Sequence, residues 1–165
     1  MKDEAPRVAV VMGSDSDLPV MEETGKVLSE FQVAYEVNIL SAHRSPERTA
    51  EFARGAEKRG LEVIVAGAGG AAHLAGVIAS HTILPVIGVP MESNLMGLDS
   101  LLSTVQMPGG VPVATMGIGK AGARNAGLLA VQILARKYEE LKPRLEDYKK
   151  SLAAKVEEAS KKLKH

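Results

Sequence analysis

The sequence predicts an α/β protein in which helices cover both faces of a parallel sheet, a three-layer α/β/α sandwich. Apolar runs and segments of helical periodicity alternate along the chain, the pattern of repeated strand-helix units. Runs such as VAVV are apolar throughout, as strands buried on both faces are. Each crossover is too short to leave the sheet, so the strands run parallel. With 165 residues, 45% of them apolar, the chain is long enough to bury a real core in one domain.

Strands are expected at about 7 to 12, 35 to 40, 61 to 66, 85 to 89 and 112 to 116. The first helix opens at Ser16 or Asp17 with Pro19 behind, and its apolar stripe is Met21, Thr24, Leu28 and Phe31. Ser45-Pro46 opens the second, with Ser45 as its cap, and Gly60 closes it. Val63 to Met91 carries no Asp, Glu, Lys or Arg, long enough to raise a membrane span. Its glycines, Pro85, Pro90 and two histidines fit two buried strands joined by a glycine-rich turn and a short helix instead. Beyond residue 137, Leu141, Leu145, Tyr148, Leu152, Val156 and Leu163 mark an apolar stripe among Lys and Glu, and Pro143 starts or kinks this amphipathic helix. The expected organisation is a catalytic unit over 1–137 and a helical extension over 138–165 that packs on its own or a neighbouring subunit.

Twenty basic and twenty acidic residues balance, so nothing advertises binding to nucleic acid or to an anionic membrane. Without Cys there is no disulfide, thiolate nucleophile or thiolate metal site. The opening MKDEAPR has charges and no apolar segment, which argues against a secretory signal and for the cytoplasm.

In a parallel sheet, ligands bind at the carboxyl ends of the strands where strand order reverses. The turns there read GSDSD (13 to 17), SAHRSP (41 to 46), AGAGGAAHL (66 to 74) and PMESN (90 to 94), and three of the four can face one pocket. Gly13, Ser14 and Ser16 suit a phosphate, which Asp15 and Asp17 would repel. Arg44 can pair with a phosphate or carboxylate, Ser41 and Ser45 offer hydroxyls, and His43 brings the side-chain type that can both give and take a proton. The plainer alternative makes Arg44 a surface ion pair and His43 an exposed turn residue. Gly67, Gly69 and Gly70 let backbone N–H groups cradle an oxyanion, or else merely permit close packing. His73 follows at a helix start.

GAGGAA from Gly67 and GIGKAG from Gly117 match the dinucleotide pattern, which makes a nicotinamide or flavin oxidoreductase the rival. That pattern belongs after the first strand, with an acidic residue about 20 positions on, and neither copy satisfies this. No His pair has metal-ligand spacing, and no serine sits in a G-x-S-x-G elbow. His81 reads as structural and His165 as tail. A ligand-binding module without catalysis stays open.

MGSDSD, SAHRSP, AGAGGAAHL and LDSLLSTVQMPGGVPVATMGIGKAGARNAGLLA, in that order over residues 6 to 137, resemble the class I form of the PurE family. The resemblance implies a flavodoxin-like parallel sheet and an N5-carboxyaminoimidazole ribonucleotide mutase of purine biosynthesis. The form of the family that uses free CO2 usually carries Lys where Arg44 stands and lacks GGAAH. By this resemblance Asp17 accepts hydrogen bonds from the ribose hydroxyls, while Ser14, Ser16, Ser41 and Arg44 serve the phosphate and sugar. His43 is the proton carrier. Ala68, Gly69, Gly70, His73 and Leu74 form a dry pocket that keeps CO2 beside the ring. No metal, biotin or ATP is implied. The implied assembly is an octamer whose sites lie at subunit contacts, with QMPGG (106 to 110) reaching a neighbour's pocket, and the implied functional link is to the ATP-dependent synthetase that makes the substrate. Ala75 stands where the family has Pro and Ser45 where it often has Thr, and Gly117 is a further small departure.

Overall fold

Strands β1 (Val8–Met12), β2 (Tyr35–Ile39), β3 (Val63–Ala68), β4 (Val86–Pro90) and β5 (Ala114–Thr115) form one parallel sheet in the order β2-β1-β3-β4-β5. The structure is a computed structural model and describes residues 5–163. Helices α1 (Leu18–Glu30), α2 (Pro46–Gly55), α3 (Leu74–Ala79) and α4 (Leu98–Val105) connect the strands, and α5 (Gly119–Leu134) and α6 (Leu141–Lys162) follow β5. This is the expected three-layer, flavodoxin-like α/β architecture with a C-terminal helix.

Side-chain alternation along the central strands builds two cores. Val8, Val10, Met12, Val63, Val65, Ile87 and Val89 meet α1 and α5 on one face. Ala9, Val11, Ile64, Ala66 and Val86 meet α2 and α3 on the other. Helices α1 and α5 approach closely because Gly127 has no side chain: a Cβ there would lie 2.9 Å from that of Val27. The Thr24 hydroxyl, fully buried, is satisfied by the Ala123 carbonyl at 2.7 Å. The charge-free stretch from Val63 to Met91 supplies β3, α3 and β4, and no described helix is long and apolar enough to cross a membrane.

Several boundaries differ from the sequence expectation, each for a physical reason. β3 runs two residues later than expected, because the Leu61 N–H closes the preceding turn onto Ala56 and the small residues Gly67 and Ala68 continue the ladder. A Cβ at Gly67 would collide with the side chains of Met21 and Met91. β5 is only two residues long, Pro112 having no N–H to donate. The second helix stops at Gly55, and a short 3-10 turn (Glu57–Arg59) carries the chain to Gly60, where φ of +91° suits glycine. Ser45 does not cap α2: its hydroxyl donates to the Ser41 carbonyl at 3.1 Å and accepts the Ser41 N–H at 3.3 Å. Asp17 precedes α1 without a side-chain capping bond, and Ser14 caps a 3-10 turn (Asp15–Asp17) in front of it.

The C-terminal stripe divides in two. Leu141 is buried, and Leu145 and Tyr148 pack on the α1/α5 core, where the Tyr148 ring lies 5.7 Å from Phe31. Leu152, Val156 and Leu163 are exposed. Pro143 lies in the first turn, so it starts the helix rather than kinking it. His165 lies outside the described residues.

Candidate active site

β1 lies between β2 and β3, so the carboxyl ends of these three strands open onto the point where the chain reverses its direction of winding. Their exit turns line one cleft of about 420 Å³ through Gly13, Ser14 and Asp17, through Ser41, Ala42, His43 and Arg44, and through Ala68, Gly69, Ala72, His73 and Leu74. Three of the four turns therefore converge. The fourth, PMESN, stands behind the glycine-rich turn.

At its centre two imidazoles meet, His43 Nε2 lying 2.7 Å from His73 Nδ1 with the rings edge to face. One ring must present an N–H and the other a lone pair, so the contact couples their tautomers. Arg44 is not a surface ion pair. Its guanidinium donates to the Gly13 carbonyl at 3.0 Å and, through Nε, to the Ser41 hydroxyl at 3.3 Å, and the Arg44 N–H also reaches that hydroxyl at 3.1 Å. These bonds pin the β1 and β2 exits together and hold the cation at the cleft.

In the GSDSD turn, Asp15 is exposed and accepts the Ser14 hydroxyl at 3.1 Å and the Ser16 N–H at 3.0 Å. Asp17 is half-buried, and that burial pushes its carboxyl above the usual range against an opposing bond from the Ser14 backbone, with the charge of Asp15 adding to the rise. Ser16 is not among the lining residues: its hydroxyl points to Ser14 at 3.0 Å.

Gly70 does not line the cleft either, and its N–H is not turned to a ligand. It donates instead to the hydroxyl of Ser100 on α4 at 2.9 Å. Gly70 (φ +63°) and Ala72 (φ +42°) both occupy left-handed backbone, which shapes the turn that delivers His73. Sequence reasoning named Ser93 only as part of the PMESN turn and missed Asp99, Ser100 and Ser103. The available signal was a polar side, Ser100 and Thr104, on a short helix otherwise rich in Leu: those two are buried, whereas Leu98, Leu102 and Val105 are exposed. Ala75 is buried in the first turn of α3.

Fold and cleft together define a doubly wound α/β protein with two imidazoles, a guanidinium and a carboxylate gathered at its switch point. The AIR carboxylase family model matches residues 7–155, so the chain belongs to that family. A protein of Pyrococcus horikoshii named N5-carboxyaminoimidazole ribonucleotide mutase is 61% identical over 164 residues, which is 99% of this chain and 92% of the relative. The protein of the same name from Thermotoga maritima is 57% identical over 159 residues, covering 96% and 92%. The crystal structure of Treponema denticola PurE superposes with a TM-score of 0.86 at 29% identity, covering 97% of this chain and 99% of that one.

Proposed function

We propose that this protein is an N5-carboxyaminoimidazole ribonucleotide mutase, an isomerase of purine biosynthesis that moves a carboxylate from the exocyclic nitrogen of the imidazole to ring carbon C4. The observation that carries the reading is the convergence of Asp17, Arg44 and the His43/His73 pair on one cleft. The relatives of that name, matched over nearly their whole length, support it.

Asp17 accepts hydrogen bonds from the ribose hydroxyls, while Ser14, Ser41 and Arg44 hold the phosphate, Ser16 supporting Ser14 from behind. A diol needs an acceptor and a phosphate needs donors, so a carboxylate and a cation serve one ribonucleotide at two places. His43 protonates the carbamate nitrogen as its C–N bond breaks, releasing CO2 and an amine. C4 of the ring attacks that CO2, and His43, now neutral, removes the C4 proton, so the proton balance closes within one turnover. His73 backs His43. Ala68 and Gly69 with the buried Ala72 and Leu74 keep the released CO2 against the ring, where proximity does most of the work. Gly70 acts by shaping this wall. As written, the route consumes no ATP and transfers no electrons.

The same reading includes a cytoplasmic setting, a catalytic unit over 1–137 with a helical extension, supply of the substrate by the ATP-dependent synthetase, and a homo-octamer in which QMPGG approaches a neighbour's cleft. The exposed apolar side of α4 supports association of copies. Incubation with N5-carboxyaminoimidazole ribonucleotide, following the C4-carboxylated product, tests the function. Binding of NADH or FMN without that turnover points to the oxidoreductase instead.

A further inference from the structure

The glycine-rich turn is held from behind by a directed chain of hydrogen bonds. Ser93 donates its one hydroxyl hydrogen to the Asp99 carboxylate in a short contact. The hydroxyls of Ser93 and Ser100 are 3.3 Å apart, and with Ser93's hydrogen committed, Ser100 is the donor between them. Ser100 in turn accepts the Gly70 N–H at 2.9 Å. The order is therefore Gly70 N–H to Ser100, Ser100 to Ser93, and Ser93 to Asp99. Ser93 lowers the Asp99 carboxyl below its ordinary range, so the chain ends on a charge. Each bond in such a chain polarises the next. Ser103 flanks it, 3.5 Å from the Gly70 carbonyl and donating to the Asp99 carbonyl at 2.8 Å.

Two features make this chain more than general packing. Ser100 is fully buried, on the buried polar side of a helix whose Leu98, Leu102 and Val105 are exposed, so a burial that apolar side chains would have filled more cheaply has been given to a hydroxyl. The turn it grips holds Gly70 and the non-glycine Ala72 in left-handed backbone, a conformation that persists only where the surroundings impose it. Three residues beyond Gly70 stands His73, in contact with His43.

We propose that Ser100, polarised through Ser93 by Asp99, is a positioning residue that locks the Gly70 to His73 turn in the shape that closes the CO2 pocket and seats His73 against His43. Its consequence for catalysis rests on the mutase reading; its consequence for the turn does not.

The test uses the full chain and the variants Ser100→Ala and Ser93→Ala, the second more peripheral and so a safeguard if the first fails to fold. Exchange of the Gly70 amide is measured first, and loss of its acceptor in Ser100→Ala is expected to accelerate it about fivefold to tenfold, with a smaller gain in Ser93→Ala. Carboxyl-labelled substrate is then converted in excess unlabelled bicarbonate. The variants are expected to lose more label to the medium than the parent while KM changes less than twofold. A structural role alone would lower thermal stability and kcat and leave label retention at the parent value. Unchanged Gly70 exchange, or parental label retention in both variants, overturns the proposal. A parent that fails to turn over the substrate overturns the mutase reading instead, and Gly70 exchange still decides whether Ser100 locks the turn.

Discussion

Asp17 shows what the carboxylate proposed to hold the ribose costs the free protein. Because burial raises its folded pKa above the usual 3.8, the folded state prefers the protonated form, and the stability held at low pH is lost as pH rises through that raised value. Asp17→Asn, which resembles the neutral acid, should therefore gain stability relative to the parent as pH climbs above 3.8, the gap levelling off once Asp17 is fully ionised. Thermal melts across the carboxylate range check this, and a gap that shrinks with pH contradicts it. The same variant should bind the ribonucleotide more weakly, as should Arg44→Ala, which loses a charge-assisted contact of about 1.5–3 kcal/mol. Titration calorimetry with and without the 5′-phosphate separates them: the loss in Arg44→Ala should be larger when the phosphate is present, on top of a smaller loss common to both ligands from the missing bonds to Gly13 and Ser41. His43→Asn should lower kcat by about 10² to 10⁴ with nucleotide affinity nearly unchanged, since the phosphate and ribose contacts remain.

The elements reveal how far sequence patterns reach. VAVV and YEVNI read as strands because their residues alone decide the matter, and the turns GSDSD, SAHRSP and AGAGGAAHL stood out because small and polar residues interrupt apolar runs. What escaped was set by which partner wins a polar group or a space, near or far along the chain. Ser45 reads as a cap, yet Ser41 competes for its hydroxyl, and Gly70 reads as an anion cradle, yet Ser100, thirty positions on, takes its N–H. The end of β3 was displaced by the same cause, because Met21 and Met91 demand a glycine at position 67 that a strand pattern does not anticipate. Gly67→Ala should accordingly cost about 1–3 kcal/mol by overpacking, visible as a lower midpoint in urea. Gly117, with open space around it, is the control expected to tolerate alanine.

Across the whole molecule, the surface carries the plainest sign of what one chain lacks. Leu98, Leu102 and Val105 lie exposed along α4 with Leu95 and Met96 beside them, and Val37 and Ile39 are half-exposed on the edge strand β2. Light scattering should find an assembly of several copies, and Leu98→Lys with Leu102→Glu should shift it toward monomer. The cleft of a single chain is open to solvent at His43 and His73, so the monomeric variant should also leak CO2. Retention of that CO2 is the centre of the account, and one measurement addresses it directly. Substrate labelled in its carboxyl carbon is converted by the parent protein in excess unlabelled bicarbonate and read at early times, before the carbamate decays unaided. The account predicts product that keeps most of the label. Product formed equally well from aminoimidazole ribonucleotide and dissolved CO2, with the label diluted away, would contradict it.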